Sequence, residues 1–166
     1  GSASLQAGDV VVASGGARGV TAATLIALAK KIPLKFVLLG RSELVEEPAS
    51  CAQATTDAEL KRVLLSETKA AGIMLKPADL GRQVKGILAG REIRHTLDAI
   101  SKVGGEAQYH VADIRDAKSL NGVLDGIRDT WGPIKGIVHG AGVLADKFIK
   151  DKTDADFEKV YMTKVG

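Results

Sequence analysis

Three short stretches hold residue types suited to gripping a phosphorylated ligand. The first is Ser14-Gly15-Gly16-Ala17-Arg18-Gly19-Val20-Thr21, a glycine-rich turn carrying one guanidinium group. Where such a turn joins a strand to a helix, the free N–H groups of the first helical turn point outward and the aligned peptide dipoles favour an anion. Glycines let that anion approach the backbone closely. The second stretch, Gly40-Arg41-Ser42, holds a cation and a hydroxyl and no carboxylate. An acidic residue at this station would bond the ribose hydroxyls of NAD. An arginine instead offers bidentate, charge-assisted bonds to a 2′-phosphate. Arg18 would approach the same phosphate from the other side, so the pair points to NADP(H) over NAD. The plain alternative is a tight turn without a ligand and two solvated arginines. The third stretch is His139-Gly140-Ala141-Gly142, and its histidine reads equally well as a strand-end residue satisfied by backbone.

These stretches need a scaffold, and the hydrophobic pattern supplies one. Asp9 to Ser14 reads as a short buried strand, Val20 to Lys31 as an Ala- and Leu-rich helix stopped by Pro33, and Lys35 to Leu39 as a second buried strand. Strand, glycine turn, helix, strand is the βαβ unit of a parallel sheet. Ala107 to Ala112 reads as a third strand. Asp116 caps a helix with Leu120, Val123, Leu124, Ile127 and Trp131 on one face, ended by Gly132-Pro133. Ile134 to His139 is a fourth strand. Thr153 or Asp154 opens a last helix with the stripe Phe157, Val160, Tyr161 and Val165. The expected fold class is α/β, a Rossmann-type parallel sheet of order 3-2-1-4 with helices on both faces.

Between strands two and three, residues 43–105 form an expected helical insertion, longer than a crossover needs. Residues 43–54 read as loop and 57–71 as a helix carrying Leu60, Val63 and Leu64. Two further apolar faces follow, Leu80-Val84-Ile87-Leu88 and Ile93-Leu97-Ile100-Val103. They are out of phase, with Gly90 at the change, and predict two separate helices.

Composition narrows the function classes. The 166 residues are 45% hydrophobic and 26% charged with a net charge of +3, an ordinary globular balance. Aromatic residues at 4% provide no stacking platform for single-stranded nucleic acid, and no apolar run reaches the roughly 20 residues of a membrane span. The expectation is therefore no nucleic-acid and no membrane partner. Cys51 is the one cysteine, which excludes an internal disulfide and suits a reducing, cytoplasmic setting. His95, His110 and His139 show no metal-ligand spacing, so no metal site is expected.

Taken in order, SGGARGV, LLGRS, Asp113-Ile114 and His139-Gly140-Ala141-Gly142-Val143-Leu144 resemble the ketoreductase domain of modular polyketide synthases, within the short-chain dehydrogenase/reductase family. The insertion, with its Arg91-Glu92-Ile93 to Ile100 stretch, resembles that of polyketide-type polyunsaturated fatty-acid synthases. The resemblance covers roughly Asp9 to Gly166. It implies that Ser14, Gly15, Gly16, Ala17, Arg18, Gly19 and Val20 line the pyrophosphate and adenosine ribose. Gly40, Arg41 and Ser42 would take the 2′-phosphate. Asp113 would meet the adenine amino group, with Ile114 against the ring, although Asp113 also reads as a plain cap or loop residue. His139, Gly140, Ala141 and Gly142 would border the nicotinamide end. Thr21 stands where the family usually has a third glycine, implying a small packing adjustment.

The resemblance also implies a catalytic lysine on the last helix, and Met162-Thr163-Lys164-Val165-Gly166 fits, which makes Lys164 the candidate; a lysine snorkelling from an apolar stripe is the alternative. Tyr161, three residues before Lys164, lies one strand too early for the family's catalytic tyrosine and reads as core; Tyr109 is likewise no candidate. The tyrosine, serine and asparagine of the reaction are expected beyond Gly166. Residues 3–166 then form the cofactor-binding part of one ketoreductase domain, with its C-terminal remainder absent, and strand four is expected to show a bare edge. The implied reaction is NADPH-dependent reduction of a 3-oxoacyl thioester carried by an acyl carrier protein. The implied partners are the remainder of the domain and that carrier. The rival readings are a non-catalytic NADP-binding or structural domain of a megasynthase, a stand-alone small-alcohol dehydrogenase and a basic nucleic-acid binder.

Overall fold

In the computed structural model of the chain, residues 5–15, 17–139 and 162–164 are described. In chain order they form β1 (Val10–Ser14), α1 (Gly19–Lys31), β2 (Lys35–Gly40), a 3-10 turn (Ala49–Cys51), α2 (Asp57–Ala70), α3 (Pro77–Lys102), β3 (Glu106–Val111), α4 (Ala117–Trp131), β4 (Ile134–His139) and β5 (Met162–Lys164). The sheet order is β3-β2-β1-β4-β5. The first four strands are parallel, which is the predicted 3-2-1-4 arrangement.

The chain divides into two compact units, residues 42–91 and the remainder. In the larger unit β1 and β2 are buried on both faces, which explains their unbroken apolar runs, whereas β3 is only half-buried. Val11, Ala13, Phe36 and Leu38 turn to one face and pack with Leu25 and Leu28 of α1 and Ile93 and Ile100 of α3. Their neighbours Val10, Val12, Val37 and Leu39 turn to the other and pack with Leu124 and Ile127 of α4. This alternation is the period-two geometry of a strand, and each fully buried side chain of this size stabilises by about 1.5–3 kcal/mol. Asp116 caps α4 as predicted, its carboxylate accepting from the Ser119 N–H. Thr21 is buried in the first turn of α1, so the helix packs without the third glycine.

The smaller unit has its own core of Cys51, Ala54, Leu60, Leu64, Leu80, Val84 and Ile87. Arg91 ties its irregular segment down. Its guanidinium donates to both carboxylate oxygens of Glu47 and to the carbonyls of Cys51 and Ala54, at 2.6–2.9 Å. The Glu47 hydrogen bond raises the Arg91 pKa above its ordinary value, against the opposing effect of burial. The segment 43–54, predicted as loop, thus contains a short 3-10 turn with a buried thiol.

Three expectations are corrected. The two helices predicted on either side of Gly90 are a single 26-residue helix, α3. The apolar phase changes because Leu80, Val84 and Ile87 serve the small core whereas Ile93 and Ile100 serve the sheet; a change of partner mimics a break in the helix. The helix predicted to carry Lys164 is not found there: Met162–Lys164 is a strand antiparallel to β4, with Val138 opposite Met162 and Gly136 opposite Lys164. The edge of β4 predicted to be bare is therefore covered, because its unpaired N–H and C=O groups are satisfied by β5. The remainder of that predicted helix, Tyr161 included, lies outside the described residues.

Candidate functional site

The strand order places β1 between β2 on one side and β4 on the other. In open α/β sheets a ligand crevice forms at such a switch point, beyond the carboxyl ends of the strands. Here those ends are Ser14, Gly40, Val111 and His139. Their register brings Ser14 level with Leu39 and His139, and Gly40 level with Val111.

The glycine turn leaves β1 at Gly15, whose φ of 70° is in the left-handed region and whose N–H donates to the Leu39 carbonyl at 2.9 Å. Ala17 is buried. Arg18 is the extended N-cap of α1 and makes no side-chain cap of its own. Gly19 opens the helix with φ 64°, and nothing lies within 4 Å of where a side chain would begin. The first turn of α1 holds no acidic residue. Glu92 of α3 supplies one: its carboxylate accepts from Arg18 Nε at 2.7 Å and from the Gly19 N–H at 3.0 Å. The Arg18 hydrogen bond holds the Glu92 carboxyl below the usual glutamate range; partial burial opposes this and the Gly19 N–H reinforces it. One helical turn along α3, the buried Thr96 hydroxyl donates to the Ala17 carbonyl at 2.7 Å. Two contacts from α3 thus fasten the turn in place.

At the end of β2, Gly40 leaves room for the Tyr109 hydroxyl, which would lie 2.5 Å from an added Cβ. Arg41 is exposed, and no hydrogen bond or ion pair of it is found among the described residues; Ser42 is half-buried. Beyond β3, Asp113 accepts from both the guanidinium and the backbone N–H of Arg115. These bonds, the side-chain one first, hold the Asp113 carboxyl well below the usual aspartate range, and the charge of Arg41 adds to the effect. Ile114 beside it is 55% exposed, and Val20 at the start of α1 is 41% exposed, so both leave apolar surface at the open end of the sheet.

The structure therefore brings Ser14, Gly15, Ala17, Arg18, Gly19, Val20, Gly40, Arg41, Asp113, Ile114 and the backbone of His139 to the same end of the sheet, and Ser42, next in the chain, opens the smaller unit. Gly16, Gly140, Ala141 and Gly142 lie outside the described residues. Lys164 stands opposite Gly136, three residues back from His139, so its backbone is about 10 Å short of the carboxyl end. A groove of about 840 Å³ between β3 and α4, lined by Gln108, His110 and Ser119 among others, contains none of the predicted site residues. No cluster of three or more His, Cys, Asp or Glu placed for a metal ion occurs among the described residues.

Sequence reasoning missed Glu92, Thr96 and Arg115. A signal existed for two of them. Thr96 is a polar residue on the buried stripe between Ile93 and Ile100, and Arg115 stands two residues from Asp113, the spacing of an Asx turn. Nothing local marks Glu92, whose partners are more than 70 positions away.

A family model described as the KR domain matches residues 9–166. The chain belongs to the ketoreductase (KR) domain family. This KR chain is 36% identical over 166 residues to a polyunsaturated fatty acid synthase polypeptide of Thraustochytrium sp., covering 95% of the chain and 6% of that relative. It is 33% identical over 70 residues to polyketide synthase PksL of Bacillus subtilis, covering 42% of the chain and 2% of PksL. Among solved structures, an N-terminal ketoreductase from the macrolactin assembly line matches 96% of the chain with 27% identity and a TM-score of 0.50, and the chain covers 24% of it. A putative dehydrogenase of Burkholderia cenocepacia, solved with bound NADP, matches 82% of the chain at 15% identity and a TM-score of 0.50, a likeness of fold alone; the chain covers 34% of it. The chain thus spans a small fraction of the synthases it matches. It is a ketoreductase domain sequence similar to parts of polyketide and polyunsaturated fatty acid synthases.

Proposed function

We propose that the chain is the NADP(H)-binding part of a ketoreductase domain that reduces a 3-oxoacyl thioester, held on an acyl carrier protein, to the 3-hydroxyacyl thioester. The observation that carries the cofactor choice is the carboxyl end of β2, where Arg41 is exposed with no hydrogen bond or ion pair found among the described residues and where Gly40-Arg41-Ser42 contains no acidic residue. The cradle fits a dinucleotide. Gly15 and Gly19 adopt left-handed φ values beside open space, and none of the described hydrogen bonds uses the N–H of Val20 or Thr21. Those two donors would hold the pyrophosphate at the positive end of α1. Arg41 and Ser42 would hold the 2′-phosphate, with Arg18 as a second cation. Asp113, kept ionised by Arg115, would accept from the adenine amino group while Ile114 covers the ring.

When bound, the cofactor supplies the hydride. The chain's own residues orient it and fix the charge around its adenosine half. Lys164 enters on the family resemblance alone, as an ammonium that lowers the pKa of a tyrosine proton donor in the rest of the domain. The match to a polyunsaturated fatty acid synthase supports the carrier-bound acyl substrate.

The test is an equilibrium titration of NADPH and NADH into the parent chain and Arg41→Ala. Loss of one charge-assisted bond to the 2′-phosphate weakens NADPH by roughly ten- to a hundredfold and leaves NADH unchanged. Equal losses for both would remove Arg41 from this role.

A further inference from the structure

Glu92 lies at the mouth of the glycine turn, and its carboxylate faces the positive end of α1, where a ligand phosphate would also be drawn. It does not fill that place. It takes the first N–H of the helix, Gly19, and none of the described bonds uses the next two, Val20 and Thr21. Its second oxygen accepts from Arg18 at Nε, the edge of the guanidinium nearest the stem. No described bond uses the two terminal nitrogens of Arg18, which are the pair a phosphate takes in a bidentate grip. Both side chains are about half exposed, so the ion pair by itself adds little stability. Its consequence is orientation: a long side chain with many rotamers is held by one edge while its fork stays available.

We propose that Glu92 is a positioning residue for cofactor discrimination, pinning Arg18 by Nε and the start of α1 by Gly19 so that the terminal nitrogens of Arg18 are pre-set for the 2′-phosphate. This rests on the NADP(H) reading above. The cost of immobilising Arg18 is met during folding, before the ligand arrives. Releasing it returns that cost to the binding step, worth roughly two- to tenfold in affinity for one flexible side chain. Thr96, one turn along α3, holds the Ala17 carbonyl and so keeps the backbone of the turn in place independently of Glu92.

The experiment titrates NADPH and NADH calorimetrically into the parent chain, Glu92→Ala, Glu92→Gln, Arg18→Ala and the Arg18→Ala/Glu92→Ala double variant. Circular dichroism checks that each is folded, and Glu92→Gln, which keeps an acceptor for the Gly19 N–H, serves if the alanine variant is not. Glu92→Ala is expected to raise the NADPH dissociation constant two- to tenfold with NADH unchanged. Glu92→Gln should shift it in the same direction by less. The Glu92→Ala effect should vanish once Arg18 is alanine. Equal loss for both cofactors would make Glu92 a helix cap only, and tighter NADPH binding would make it a competitor for the phosphate; either overturns the proposal. If the parent prefers NADPH and Arg18→Ala removes much of that preference while both Glu92 variants keep it intact, the inference fails and the cofactor reading stands. If the parent shows no preference for NADPH, the cofactor reading itself fails.

Discussion

Thr96→Val is the sharpest test of how the glycine turn is held. Thr96 is 2% exposed, and its hydroxyl donates to the carbonyl of Ala17, itself 3% exposed. Valine has nearly the same shape, so the substitution removes a donor without opening a cavity. The stranded Ala17 carbonyl costs about 1–3 kcal/mol as a buried acceptor without a partner. The methyl that replaces the hydroxyl returns up to about 0.8 kcal/mol of apolar burial. The expected net loss is about 0.2–2 kcal/mol, which for a chain of 166 residues lowers Tm by up to roughly 8 °C. Urea unfolding followed by circular dichroism should show a lower midpoint with an unchanged m-value. Thr96→Ser keeps the hydroxyl and should recover most of the loss. Because the turn serves the part common to both dinucleotides, Thr96→Val should weaken NADPH and NADH alike, unlike the Glu92 variants. An unchanged or raised stability would refute the reasoning, since it would mean that the Ala17 carbonyl is satisfied without Thr96.

Gly19→Ala should cost about 1–2 kcal/mol by thermal denaturation, since an alanine at φ 64° is strained even where the space beside it is open. Arg91→Met releases the Cys51 and Ala54 carbonyls and removes the guanidinium from Glu47, and should destabilise residues 42–91 by about 2 kcal/mol. Labelling of the buried Cys51 thiol should then run about thirtyfold faster than in the parent. Asp113 has its folded pKa pushed below its unfolded value, so its contribution to stability is fully present above the unfolded pKa, near 3.9, and is lost as pH falls through the lower folded pKa. Asp113→Asn should therefore flatten the stability profile below about pH 4 and leave the shape of the profile above it unchanged, read by urea midpoints at a series of pH values.

Three strands of the sheet were legible because they are short, largely apolar runs bounded by glycine and proline and joined by crossovers. Val10–Ser14, Lys35–Gly40 and Ile134–His139 carry that pattern within one or two residues of their ends. The glycine turn was legible for the same local reason, since its chemistry and its geometry lie within eight consecutive residues. What escaped was non-local. The phase change at Gly90 records that one helix serves two cores, which no window on the sequence distinguishes from a helix break. Met162–Lys164 sits within a stretch whose apolar spacing is helical yet pairs with β4, because satisfying an open strand edge outweighs weak local preference. Glu92 and Thr96 act on a turn that lies far from them in sequence, and only the packing of α3 against α1 reveals them.

The central claim is that an amide cradle and the exposed guanidinium of Arg41 select an adenosine bearing a 2′-phosphate. Calorimetric titration of the chain with 2′,5′-ADP and with 5′-AMP tests it without the nicotinamide half. The account predicts that 2′,5′-ADP binds at least about tenfold more tightly, as one charge-assisted contact requires. Equal affinity for the two, or binding of neither, would contradict it.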